Sequence, residues 1–256
     1  RLNLAQSFNG LGCICGPLVG GLLLFSEKGE ANISYPYMLM GVVVLIVALV
    51  FSRIKLPEIV HTDNVVNGKT VKKGLWSHKL FLFGLLALFS YEIAEISINS
   101  FFINYVVEQG WMNARDASLI LSFGGLGLFM LGRFIGSWIM GRVCAEKMLL
   151  ICATGTVLTT LVVLLDVGMV SLVALLCGYA FEAIMFPTIF ALSLRGLGNH
   201  TKRASSFLMM SPVGGVVGPL LMGLVADHST MVMAFTVPLV AYSVVWCYAR
   251  KVVYVS

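Results

Sequence analysis

Apolar residues in this chain neither alternate nor recur at a helical period. They run almost unbroken for about twenty residues at a time, the length a helix needs to cross the hydrocarbon core of a bilayer. Eight such runs can be read: 4–25, 35–53, 79–106, 117–140, 148–165, 169–194, 204–226 and 231–249. Strands of a membrane barrel would be shorter and would alternate apolar with polar positions, which these runs do not. The pattern predicts an all-α polytopic membrane protein with eight transmembrane helices. The one sizeable polar stretch, 54–78, carries charges and turn residues such as Asn67-Gly68 and reads as a central linker between two bundles.

Composition agrees: 59% of residues are hydrophobic, only 11% are charged, and mean hydropathy is +0.94. Soluble domains carry about 25% charged residues. The formal charge of +5 reads as a topology signal. With both ends placed inside, the cytoplasmic face gathers Arg1, Arg53, Lys55, Lys69, Lys72, Lys73, Lys79, Arg133, Arg142, Lys147, Arg195, Lys202, Arg203, Arg250 and Lys251, and the other face only Lys28 and Arg115. These cations lie in separate short loops, so no nucleic-acid partner is expected. The first run begins almost at Arg1, with no initiator methionine, as expected of a fragment.

An internal repeat adds connectivity. "GPLVGGL" at 16–22 and "GPLLMGL" at 218–224 match at five of seven positions and belong to the first and seventh runs. Such a six-helix parallel repeat resembles the two halves of major facilitator carriers. In that frame, 1–53 holds the last two helices of an N-terminal six-helix half, 54–78 is the cytoplasmic linker, and 79–256 is the C-terminal half. Gly12, Gly16 and Gly20, and likewise Gly214 and Gly218, recur every four residues and would let helices pack closely, while Pro17 and Pro219 permit bends; a moving hinge and plain small-residue packing both fit.

The candidate chemistry centres on "YEIAEISINS", residues 91–100. A charge at the centre of a spanning helix costs roughly 2.5–3.5 kcal/mol, so Glu92 and Glu95 should face a cavity or a partner. Glu92, Glu95 and Asn99 follow i, i+3, i+7 on one stripe, with Ser97, Ser100 and Asn104 on an adjoining one. Sugar hydroxyls both donate and accept, which suits carboxylates and amides. Expected substrate-binding residues are Gln6, Asn9, Glu95, Asn99, Asn104, Tyr179 and Glu182. Glu92, Glu95 and Glu182 could instead carry a proton, or join neighbouring helices.

"RLNLAQSFN" (1–9), "YEIAEISINSFFINY" (91–105), "GRFIGSWIMGR" (132–142), "IMFPTIFALSLRGLGNHTKRASS" (184–206) and "GLVADH" (223–228) together resemble the fucose:proton symporter family of bacterial sugar permeases. The resemblance implies helices five to twelve of a twelve-helix carrier, with substrate held at mid-membrane and exposed alternately to each side. The proton-coupling carboxylates of that family lie in its first and fourth helices, neither of them in this chain. Glu95 and Asn104 match positions the family tends to fill with sugar-binding residues. Glu92 replaces a small or apolar residue, and Glu182 replaces an amide.

In "GRFIGSWIMGR", Arg133 and Arg142 are expected to flank a cytoplasmic turn, with Gly132 and Gly136 allowing close helices; gating and simple anchoring both fit. The six cysteines form no C-x-x-C pair and no H-E-x-x-H occurs, so neither metal nor cofactor is expected. The reading is a monomeric, multi-pass carrier of a bacterial inner membrane that takes up a fucose-, glucose- or galactose-type monosaccharide with protons, its partners being sugar, protons and lipid. An exporter or antiporter of apolar compounds, suggested by "GPLVGG", and a sugar sensor that does not transport are the alternatives. No nucleophile–base constellation or phosphate-cradling loop marks an enzyme.

Overall fold

The computed structural model describes Gly12 and residues 34–53 and 75–255, and every regular element among them is helical. Helix α1 (Ser34–Arg53) exposes all its side chains from Met38 onward. Six further segments are long and apolar enough to cross a membrane: α2 (Lys79–Glu108), α3 (Ala114–Ile139), α4 (Ala145–Leu164), α5 (Met169–Leu194), α6 (Thr201–His228) and α7 (Met231–Tyr254). The expectation of eight spans is thus met by six among the described residues. The apolar part of α1, Met38–Arg53, is shorter, and the run 4–25 falls outside them apart from Gly12.

Local sequence sets several helix ends. Asn113 caps α3 by accepting from the Asp116 amide at 2.8 Å, and Thr230 caps α7 by accepting from Met233 at 3.2 Å. Gly110 after α2 takes φ +71°, a left-handed conformation that favours glycine.

Helix α2 is the hub. It packs on α6, on α7 and on the second half of α5, while α4 joins α7 to the first half of α5 and α3 lies against that same first half. Lipid is as apolar as leucine, so these contacts rest on close backbone approach and hydrogen bonds rather than on hydrophobic burial. A side chain at Gly132 of α3 would put its Cβ 2.8 Å from the Ala180 carbonyl oxygen and 2.9 Å from the Ala183 Cβ, both on α5. Gly214 and Gly218 bring α6 similarly close to the Phe89 and Ile93 carbonyls of α2. Trp246 of α7 donates to Thr154 Oγ1 of α4 at 3.1 Å, and the Ser193 and Tyr248 hydroxyls pair at 3.0 Å. Arg195 pairs with Glu146 at one end of the bundle, and Gln109 donates to Asp166 at 3.0 Å at the other. The outer surface is apolar, with Leu86, Phe123, Leu131, Ile135, Leu158, Val173, Leu220 and Val240 exposed.

Four of the long segments are not continuous α-helices, among them α7, which breaks at Phe235 between Met231–Ala234 and Thr236–Val255. α3 contains a π-helical stretch, Ile120–Leu126, which includes Gly124 and Gly125. α5 breaks at Ala183 and Ile184, between Met169–Glu182 and Met185–Leu194. α6 is interrupted by a 3₁₀ turn at Ser211–Val213, where Pro212 cannot donate.

The expected geometry of "GRFIGSWIMGR" needs correcting. The helix containing Arg133 continues to Ile139, and the turn beyond it carries only Arg142, whose guanidinium lies 4.5 Å from the Trp138 ring centre. Arg133 instead reaches sideways to α5, its Nε donating to the Ala183 carbonyl at 3.1 Å and its guanidinium standing 4.5 Å from the Phe129 ring centre. The reason is that Gly132 and Gly136 bring the α5 backbone within reach of this side chain.

Candidate functional site

The break in α5 begins with a proline. Pro187 has no amide hydrogen and its ring crowds the carbonyl four residues earlier, which is that of Ala183. Arg133 supplies the donor that Pro187 lacks. The neighbouring Glu182 carbonyl is taken by the Tyr91 hydroxyl of α2 at 3.2 Å. Side chains from two other helices thus complete the backbone bonds around the interruption.

Glu182, the last residue of the first half of α5, is 1% exposed. The Tyr242 hydroxyl of α7 donates to its Oε1, whereas Oε2 has no hydrogen-bond partner among the described residues. One turn earlier on α5, Tyr179 is also 1% exposed; it meets Phe102 edge-on with centroids 6.3 Å apart, and its hydroxyl is unpartnered among the described residues. Its ring lies over Gly125, where a Cβ would come within 3.0 Å of it. Glu95 of α2 lies within electrostatic reach of the Tyr91 hydroxyl, the Arg133 guanidinium and Glu182. Asn99, one turn beyond Glu95, presents a buried Oδ1 that is likewise unpartnered among the described residues.

Helices α2, α3, α5 and α7 therefore converge on one polar cluster of two carboxylates, an arginine and three phenols, with the Asn99 amide one turn along α2 from Glu95. Leaving a buried polar atom unpaired costs about 1–3 kcal/mol. Glu182 Oε2, Tyr179 OH and Asn99 Oδ1 together are the atoms a hydroxylated ligand would satisfy, and the two carboxylates are groups that can take up a proton.

Other expected residues lie apart. Glu92, 8% exposed, is turned toward Gly214 at the start of the second part of α6. The stripe containing Ser97 faces α6 at Gly218, and Asn104, farther along it, is exposed. Gln6, Asn9, Gly16, Pro17 and Gly20 lie outside the described residues. Tyr242 and the bridging role of Arg133 were missed at the level of sequence. A lone tyrosine in "LVAYSVVW" carries no motif, although the spacing of Pro187 from Ala183 could have marked the carbonyl that Arg133 takes.

An open cavity of about 380 Å³ forms a cleft between α2 and α6 lined by Leu82, Leu86, Phe89, Phe207 and Met210. Its walls are apolar and suit an acyl chain or a neighbouring helix, which leaves the polar cluster as the candidate site. Among the described residues no three His, Cys, Asp or Glu side chains are grouped to hold a metal.

Comparison with known proteins adds independent information. The sequence model described as Major Facilitator Superfamily matches residues 1–211. A putative glucose/galactose transporter of Helicobacter pylori strain J99 is 34% identical over 271 residues, covering 98% of this chain and 65% of that protein. The L-fucose-proton symporter of Escherichia coli K12 is 31% identical, covering 98% of this chain and 63% of its own length. The crystal structure of the transporter FucP in its outward conformation superposes with a TM-score of 0.75 at 30% identity, over 98% of this chain and 67% of that one. The chain thus spans about two thirds of the proteins it matches, and its motifs, its helical architecture and the family match agree: it belongs to the Major Facilitator Superfamily.

Proposed function

We propose that this chain forms the greater part of a proton-coupled carrier that brings a monosaccharide into the cell by alternating access. Its curated relatives are named for glucose, galactose and fucose. The observation that carries the reading is the cluster of buried, unpartnered acceptors and hydroxyls in the bundle interior, Glu182 Oε2, Tyr179 OH and Asn99 Oδ1, which suits a polyol and not an apolar compound. Glu95 and Glu182 bind sugar hydroxyls, with Asn99 and Tyr179 beside them. Either carboxylate is also a place for a transported proton.

In this reading residues 79–256 form the C-terminal six-helix half, 54–78 the cytoplasmic linker and 1–53 the last two helices of the other half. Both ends of the chain face the cytoplasm across a bacterial inner membrane, and Gln6 and Asn9 complete the sugar site from the N-terminal side. Inverted access is produced by rocking of the two halves about the site.

The test is uptake of radiolabelled fucose, glucose and galactose by the full-length protein in proteoliposomes, with and without an inward proton gradient. Accumulation of one sugar that depends on the gradient is expected. Vesicles that hold folded protein and accumulate none of the three would overturn the proposal.

A further inference from the structure

We propose that Arg133 is a positioning residue for Glu182: it holds the interruption of α5 by bonding the carbonyl that Pro187 leaves free, and so fixes where the Glu182 carboxylate points. This deepens the sugar-site reading and rests on it for its effect on uptake.

The backbone carries the argument. In an unbroken helix the Ala183 carbonyl would accept from the amide of residue 187, and proline has none. A carbonyl left unpaired in the membrane interior is costly, so a break of this kind persists only where a neighbour satisfies it. Here Arg133 Nε does so at 3.1 Å, and the Tyr91 hydroxyl takes the adjoining Glu182 carbonyl at 3.2 Å. The two donors come from α3 and α2 and grip consecutive peptide units. The first of those units, held by Tyr91, belongs to the residue whose side chain offers the unpartnered Oε2, and the second, held by Arg133, adjoins it, so the two donors together fix the main chain from which that carboxylate springs.

Arg133 is suited to this in three ways. Gly132 beside it removes the side chain that would otherwise hold α3 off Ala180 and Ala183. The ring of Phe129 lies 4.5 Å from its guanidinium and keeps the group from swinging away. Its positive charge also lies within electrostatic reach of Glu95, the second carboxylate of the cluster. The guanidinium presents its donors in a planar, fixed fork, which a lysine ammonium reproduces poorly.

The test is a double-substitution cycle of Arg133→Lys with Pro187→Ala in the full-length protein. Alanine at 187 restores an amide donor for the Ala183 carbonyl, so it removes the need for Arg133. Two readouts are taken: the melting temperature in detergent, and KM and maximal rate of gradient-driven sugar uptake. In the parent background Arg133→Lys should lower the melting temperature and raise KM about fivefold or more, with the maximal rate per folded protein much less affected. In the Pro187→Ala background the same substitution should change neither by more than a small fraction of that.

Strictly additive effects in the melt would overturn the proposal, since Arg133 would then act independently of the proline's missing bond. A fall in maximal rate with KM unchanged would also overturn it, as that points to a part in the access change and not in holding Glu182. The melt cycle needs no transport, so a wild-type protein that moves no sugar would sink the functional reading while the Arg133–Pro187 coupling was still decided.

Discussion

The Tyr242 hydroxyl on α7 donates to Oε1 of Glu182 on α5, sixty positions away in sequence. This one bond joins two helices and divides the work of a carboxylate, leaving one oxygen fixed by the protein and the other, Oε2, without a partner among the described residues. In an interior of low dielectric a group held on one side and open on the other is pre-organised for whatever fills the open side.

Replacing Tyr242 by phenylalanine removes that donor while keeping the ring that fills the buried space. The expected cost is about 1–3 kcal/mol of stability, because the carboxylate stays buried with neither oxygen paired. A lower melting temperature in detergent, together with weaker sugar binding, would register it. An unchanged melt would mean that the bond does not stabilise the folded bundle.

Glu182→Gln keeps the size and one acceptor but exchanges the other oxygen for a donor. An acceptor exchanged for a donor leaves a sugar hydroxyl without its partner, a loss of about 1.4 kcal/mol, close to tenfold in affinity. KM for the transported sugar should therefore rise about tenfold in the uptake assay, with melting little changed. If KM and sugar preference both stay where they were, Glu182 does not touch substrate.

Much of the architecture was legible in the sequence because a bilayer imposes one simple demand, apolar runs of a fixed length, and α2 to α7 all meet it. The carboxylates Glu95 and Glu182 were legible for the same reason: in such runs a charge stands out. What could not be read was how the helices are joined. Tyr242 and Arg133 gain their importance from residues 60 and 50 positions away, and no local pattern announces such pairs. The interruption at Ala183 was half visible. Pro187 foretells a lost hydrogen bond, but only the packing of α3 shows which side chain replaces it. The two stripes drawn on α2 also shared one wheel without revealing that α6 covers the Ser97 stripe.

At Gly132 even one methyl group should matter. The Cβ of an alanine there would lie 2.8 Å from a backbone oxygen and 2.9 Å from another Cβ, and neither can move without shifting α5. Overpacking of this kind costs about 1–3 kcal/mol. Gly178→Ala is the matched control: its Cβ would meet only Thr159, with Oγ1 at 3.3 Å, and a better helix former would stand in the first half of α5. Melting curves should show a clear loss for the first and little change for the second.

The Arg195–Glu146 pair should count for little in stability. Its arginine side chain is 61% exposed, so solvent screens the attraction, and such pairs contribute about 0–1 kcal/mol. Arg195→Ala is expected to lower the melting temperature slightly at low salt and not measurably at high salt. A large loss that salt does not diminish would show the pair to be shielded from solvent in the membrane.

The two glutamates of "YEIAE" are separated by one helical turn but differ in surroundings. Glu95 stands within electrostatic reach of Tyr91, Arg133 and Glu182. Glu92 is turned toward Gly214 of α6, and the charged group acting on it is Glu95. Glutamine at 95 loses a charge that Arg133 complements, so uptake should fall at least tenfold, a loss of about 1.4 kcal/mol or more at the site. Glutamine at 92 removes a like charge and keeps the hydrogen-bonding groups, so uptake should stay within about twofold, and the melting temperature should hold or rise. Parallel uptake assays of the two variants decide between them: equal losses would place Glu92 in the working cluster, and equal tolerance would remove Glu95 from it.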